Sequence, residues 1–192
     1  RMLQLAQTNC QQLTALVNDL LNVERIASGT LAMQLRPVEL QPLLSHCLEQ
    51  VRLLHPGIKL QFDCPPGLQA LVVNADSAHL QHVLQHLLAN AVKFSPVGGQ
   101  VSVSISRHGE QVRIQVEDEG KGVAEHFVPH LFSRFSQADS SDTRTHAGTG
   151  LGLAISRSLV SQMHGSMGYK PAQPHGSCFY IDLPYIATLQ PQ

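Results

Sequence analysis

The chain carries almost no net charge: Lys and Arg total 13, Asp and Glu 14, which leaves −1 over 192 residues. With no basic tract either, its electrostatics give no case for nucleic acid or for an anionic membrane surface. No apolar run reaches membrane-spanning length, so no direct membrane contact is expected. Four cysteines, Cys10, Cys47, Cys64 and Cys178, are scattered without a CxxC pair, which fits reduced thiols in a cytoplasmic setting. Eleven histidines are present, and His79, His82 and His86 share a helical stripe. A metal site on that stripe is disfavoured, since zinc centres more usually recruit further Cys or acidic ligands in a closed shell. The first thirty residues lack proline throughout and lack glycine before Gly29. This absence reads as a helix, in which Ala6, Leu13, Leu16, Leu20, Val23 and Ala27 recur at the steps of a bundle or coiled-coil seam.

Glycine, scarce there, is concentrated elsewhere. The run AGTGLGLA, 147–154, places Gly148, Gly150 and Gly152 at alternate positions directly before a helical pattern of Leu151, Leu153, Ile155, Leu159 and Met163. Glycine lets backbone approach an anion closely, and the first N–H groups of a helix have no internal partner. A second pair, Gly120 and Gly122, follows a strand pattern (Val112, Ile114, Val116) that runs into Asp118. A carboxylate at a strand end accepts from an exocyclic base amine, and glycines let a flat ring lie on backbone. A helix from about Asp76 to Phe94 buries Leu80, Val83, Leu84, Leu87, Leu88 and Ala91. On its polar face His79, His82, His86, Asn90 and Lys93 form one stripe. An Asn amide oxygen suits Mg²⁺, and a Lys one turn further neutralises phosphate, so the set matches a Mg²⁺-nucleoside triphosphate.

The composition, 43% hydrophobic over 192 residues, permits one catalytic domain with a helical arm. Strand candidates alternate at Leu31, Met33, Leu35, at Val101, Val103, Ile105 and at Val112, Ile114, Val116. Interleaved helices, including Leu40 to Leu54 with His46, exclude an all-β fold.

Taken in order, HLLANAVKFS, DEGKGV and GTGLGLA resemble the N box and the two glycine boxes of sensor histidine kinases. The segment 125–139, with Phe132 and Phe135, is similar to the family's phenylalanine box, and 175–184 to its last strand. The resemblance implies a two-layer α/β sandwich, a mixed sheet with helices on one face, preceded by a long dimerisation helix. Residues 1–30 would be the second helix of the dimerisation and phosphoacceptor domain, 31–185 the catalytic ATP-binding domain, and 186–192 a tail or linker.

The same resemblance assigns roles. Asp118 would hold the adenine amine, Gly120 and Gly122 line the base pocket, and Ser177 support it. Asn90 would bind Mg²⁺ and Lys93 reach the phosphates. Gly148, Thr149, Gly150, Leu151 and Gly152 would shape the lid end, with Phe132 and Phe135 anchoring the lid. Arg134 and Arg144 are candidates for the γ-phosphate. Implied partners are ATP with Mg²⁺, a second copy through the N-terminal helix, and a response-regulator receiver domain. A membrane anchor upstream in a longer protein is compatible with this. The family's phosphorylated histidine lies in the preceding helix, and no histidine occurs before His46. The sequence is therefore expected to be a piece that binds ATP without phosphorylating itself.

Three positions depart from the family pattern. His86 stands where the N box usually has another asparagine; imidazole is a poor Mg²⁺ ligand, so His86 either leaves Asn90 as the main ligand or favours Mn²⁺ as a second metal ligand. Glu119 replaces a small polar residue beside the base pocket, and Ala147 a frequent glycine. Two other functions compete with the kinase: a related ATPase of the gyrase B, heat-shock chaperone or mismatch-repair type, and a degenerate nucleotide-binding or dimerisation module that regulates another kinase. The ATPases use an acidic general base at the N box, and this stripe has none. Asn90, Lys93, Asp118 and five box glycines argue against degeneracy.

Overall fold

The computed structural model describes residue 17 and residues 20–26, 28–68, 70–137 and 149–186. Its strands are β1 (Arg36–Glu39), β2 (Lys59–Asp63), β3 (Val72–Ala75), β4 (Gln100–His108), β5 (Gln111–Asp118), β6 (Ser166–Pro171) and β7 (Ser177–Ile186). After the helical stretch at 20–26 come three helices, α1 (Leu40–Leu54), α2 (Ser77–Phe94) and α3 (Gly152–Gln162), and a 3₁₀ segment Glu125–His130.

β5, which with β7 forms the middle of the sheet, makes a hairpin with β4. Its turn needs φ of +62° at Gly109, a conformation that glycine adopts without a steric penalty. The register runs from His108 opposite Gln111 to Val101 opposite Asp118. From that hairpin the sheet extends in the order β1-β3-β7-β5-β4-β2, with β6 also pairing β7. The β2–β4 pair is parallel and the other pairs are antiparallel.

Alternation along the strands separates two faces. Val101, Val103, Ile105, Val112, Ile114, Val116, Ile181 and Leu183 are buried against the helices. Each helix supplies one apolar stripe: Leu40, Leu44, Cys47 and Leu48 from α1, Leu80, Val83, Leu84, Leu87, Leu88 and Ala91 from α2, and Ala154, Ile155, Leu159 and Val160 from α3. The opposite face is polar. There Arg113 forks onto Asp182 across the β5–β7 ladder at 2.7 and 2.8 Å, and its guanidinium stacks 4.0 Å from the centre of the Tyr180 ring. The expected two-layer α/β sandwich with helices on one face is the observed architecture.

Two elements differ from expectation. Residues 31–35 alternate in burial, and Leu31, Met33 and Leu35 pack on the core, yet this stretch joins no ladder. The first strand starts one residue later, at Arg36, because the Gln34 N–H is taken by the carboxylate of Asp76 at 2.9 Å instead of a neighbouring strand. The short strands β2, β3 and β6 are additions to the three anticipated alternating runs. Of the N-terminal helix, Val17 and 20–26 are helical, and Val23 and Ile26 pack against the core. Ala6, Leu13, Leu16 and Ala27 lie outside the described residues, as do 187–192. Among the described residues no helix is long and apolar enough to cross a membrane.

Leu84, with no exposure at the centre of α2, makes the packing testable. Leu84→Ala is expected to lower unfolding free energy by about 2–5 kcal/mol, read as a lower denaturant midpoint at unchanged m. Leu53→Ala, at a position 74% exposed, is expected to change it by less than about 0.5 kcal/mol.

Candidate nucleotide-binding site

β5 ends in a carboxylate almost withdrawn from water. Asp118 is 4% exposed, and its Oδ1 accepts hydrogen bonds from the Gly120 N–H at 2.8 Å and the Ser177 N–H at 3.2 Å. Ser177 is delivered by the ladder, which sets it directly opposite Asp118. Burial pushes the Asp118 pKa above the usual carboxylate range, against the two N–H bonds that favour the charge.

Backbone packs so closely around this group that side chains are excluded. A Cβ on Gly120 would stand 2.6 Å from the Phe94 carbonyl oxygen and 2.7 Å from Asp118 Oδ1. Gly122, at φ +73°, would bring a Cβ within 3.2 Å of the Gly176 carbonyl oxygen. Gly176, at φ +112°, has the Asp118 carbonyl where its own Cβ would go. Three glycines therefore shape one cradle, and the C-terminal end of α2 forms its floor.

α2 also meets the second glycine run. A Cβ on Gly152 would lie 3.5 Å from the His86 ring. His86 and Phe94 are eight positions apart, about 12 Å along a helix, with Asn90 midway and Lys93 next to Phe94. Both Asn90 and Lys93 are half-buried. Burial depresses the Lys93 pKa, so its ammonium is short of the charge stabilisation that water would supply and favours an anion nearby. Ser95, just past the helix end, has a buried Oγ with no hydrogen-bond partner among the described residues.

Phe135 and Gly150 meet through their backbones. The Phe135 N–H donates to the Gly150 carbonyl at 2.9 Å, with φ of +60° at Phe135 and +68° at Gly150. A Cβ on Gly150 would sit 2.8 Å from Phe135 backbone. Thr149 Oγ1 accepts from the Leu151 N–H at 3.2 Å, turning the chain into α3.

Comparison with known proteins agrees with this geometry. Residues 75–187 match the model of the histidine kinase-, DNA gyrase B-, and HSP90-like ATPases. The chain belongs to that family. The circadian input-output histidine kinase CikA of Synechococcus elongatus is 35% identical over 185 residues, covering 94% of this chain and 24% of that protein. Full-length ShkA, solved in complex with AMPPNP, superposes with a TM-score of 0.79 at 30% identity over 92% of this chain and 36% of that one. The mycobacterial sensor histidine kinase MprB gives 0.69 at 29% identity, over 78% of this chain and 98% of that one. The chain spans about a quarter of the length of CikA. Within the family, its fold is that of the ATP-binding domain of sensor histidine kinases.

This histidine-kinase-type ATPase domain brings together Asp118, Gly120, Gly122, Ser177 and the α2 end that carries Asn90 and Lys93. Phe132 sits further along, half-buried, its ring 5.1 Å from the Arg157 guanidinium. Phe135 is 67% exposed, and Arg134 is exposed. Arg144, Ala147 and Gly148 lie outside the described residues. Glu119 accepts from the Gln100 N–H at 2.9 Å and so ties the start of β4 to the cradle loop. His86 is wedged between α2 and α3, with Nδ1 3.4 Å from Ser156 Oγ and its ring 4.3 Å from that of His82. Burial, then the charge of His82, push its pKa down to about 4, while a backbone hydrogen bond at Gly152 works the other way. The imidazole is neutral at pH 7.

Gly176 was not singled out from sequence. Its available signal was a glycine directly before Ser177 in the closing strand, and its necessity arises from a carbonyl 58 positions earlier.

Asp118 supplies a test in which stability and binding separate. A carboxylate with a raised pKa costs nothing while protonated and destabilises progressively as pH rises through that pKa. Asp118→Asn keeps an oxygen for both N–H donors and removes the charge. The variant is expected to gain stability relative to wild type as pH rises from about 4 toward neutrality, followed by thermal melting across pH. Its ATP affinity is expected to fall by at least about tenfold, because the amide presents a donor to a donor.

Proposed function

We propose that this chain is the ATP-binding catalytic part of a sensor histidine kinase, which moves the γ-phosphoryl group of Mg²⁺-ATP to a histidine nitrogen for relay to a response-regulator aspartate. The observation that carries this reading is the contact of both glycine boxes with one helix, Gly120 at Phe94 and Gly152 at His86, with Asn90 and Lys93 held between them. The cradle's chemistry suits a nucleotide: its glycines let the backbone close tightly around Asp118, whose buried carboxylate would accept from a base amine.

When bound, Mg²⁺-ATP would supply an activated phosphoryl group on a charge-neutralised triphosphate. Asp118 orients the base through its exocyclic amine, and Gly120 and Gly122 let the ring lie on backbone. Asn90 offers a neutral hard oxygen to the metal. Lys93 regains on the phosphates the charge stabilisation that burial takes from it. Amides of Gly150, Leu151 and Gly152 stand at the N-terminus of α3, where N–H groups lack internal partners. Such a site acts by positioning and charge neutralisation, which is what phosphoryl transfer chiefly asks of a protein.

His86 acts as a packing group. Its place against Gly152 and Ser156 supports the alternative in which Asn90 remains the main protein ligand. Homodimer formation through the N-terminal helix is supported by Val17, Leu20 and Leu21, exposed by 56%, 58% and 43%, an apolar set on the arm that the other described residues do not cover. A receiver domain is the proposed acceptor downstream, and the cytoplasm the proposed compartment.

Mixing the protein with γ-labelled ATP and a separate phosphoacceptor helix pair is expected to yield acid-labile, base-stable phosphohistidine. Lys93→Ala and Asn90→Ala are each expected to reduce the rate by about 100-fold or more, and chelation of divalent cations to abolish it. Binding of ATP without labelled histidine would favour the regulatory module. For His86, the ratio of ATP affinities with Mg²⁺ and Mn²⁺ is expected to be the same before and after His86→Asn. A Mn²⁺ preference lost on substitution would instead put the imidazole on the metal.

A further inference from the structure

At the opposite end of α2 from the nucleotide cradle, one carboxylate joins three parts of the chain. Asp76 follows β3, precedes α2 and is 8% exposed. Its Oδ1 accepts from the N–H groups of Ala78 and His79 at 3.1 and 3.2 Å, capping the helix, and stands 3.0 Å from His79 Nδ1. Its Oδ2 is used differently: it accepts from the Gln34 N–H at 2.9 Å, 42 residues earlier. A helix cap needs only the first oxygen. The second holds the linker that leaves the helical arm.

That linker is a mechanical connection. Val23 and Ile26 of the arm and Leu31, Met33 and Leu35 after it pack on the core. Arg36 then opens β1, paired with Ala75 next to Asp76. Between linker and helix runs a groove lined by Gln34, Arg36, Glu39, Asp76 and His79, and the Gln34–Asp76 bond spans it. The helix fastened in this way carries Asn90 and Lys93, fourteen and seventeen positions on.

We propose that Asp76 is a positioning residue that clamps the arm's exit linker to α2, and so sets the placement of the nucleotide site relative to the arm. The inference rests on the kinase reading above. Without the clamp the nucleotide is still bound, but its delivery to the phosphoacceptor histidine of the dimerisation domain to which the arm belongs is slowed. Transfer to a detached acceptor is unaffected, since no linker then relates the two.

The test compares Asp76→Ser and Asp76→Asn with wild type in the full-length protein. Both variants retain an oxygen for the Ala78 and His79 N–H groups; Ser has no second acceptor for Gln34, and Asn turns a donor toward it. Expected are an ATP affinity and KM within twofold of wild type, a five- to twenty-fold lower kcat for phosphorylation of its own dimerisation domain, an unchanged rate on a separately added helix pair, and faster hydrogen exchange at the Gln34 amide. A rate on that own domain within twofold of wild type in both variants would overturn the clamp and leave Asp76 a helix cap. A fall in ATP affinity matching the fall in rate would also overturn it, by showing that the defect is in the site itself. Wild-type protein that binds ATP but labels neither acceptor would overturn the kinase reading, and with it the clamp; this outcome is distinct because it appears before any substitution is made.

Discussion

Two backbone N–H groups converge on one oxygen of Asp118, and this buried charge constrains everything around it. A carboxylate taken out of water is tolerated only where donors replace its hydration. One donor comes from the loop after β5, which must double back so tightly that Gly120 admits no Cβ. The other comes from β7, so the β5–β7 register has to set Ser177 opposite Asp118 and no other residue. A slip of one position would turn every inward side chain of β7 outward. The apolar core thus protects the site: Ile181 and Leu183 lock the register that brings Ser177 to the carboxylate.

α2 converts this local arrangement into a larger one. Its apolar stripe is fixed in the core from Leu80 to Ala91, so its polar residues have no freedom to rotate. The cradle abuts its C-terminal end, the second glycine run abuts His86, and Asp76 holds the start. A burial-depressed Lys93 and a neutral His86 show two consequences of the same dryness: the first leaves a charge in need of an anion, the second removes a charge and leaves a wedge between helices.

Much of this was legible beforehand, for identifiable reasons. The α1 and α2 patterns are long and periodic, and α1 is found at Leu40–Leu54 as expected, with Asp76 capping α2. Gly120, Gly122 and Gly150 occur where positive φ or close backbone approach requires them. Leu31–Leu35 misled because alternation reports which side chains are buried and not where the backbone N–H groups go; here one goes to a carboxylate. β2, β3 and β6 are four to six residues long, too short for periodicity to mark them.

Sequence alone determined the periodicities, the glycines and the chemical inventory, because these depend on near neighbours and on side-chain type. Only the tertiary structure decided which partners those groups meet. Gly176 became obligatory through a carbonyl of β5, Glu119 turned to the Gln100 N–H, and His86 turned to Gly152 and Ser156. The second oxygen of Asp76 found Gln34. Each of these depends on sheet register and helix packing between residues far apart in the chain, and no local pattern carries that information.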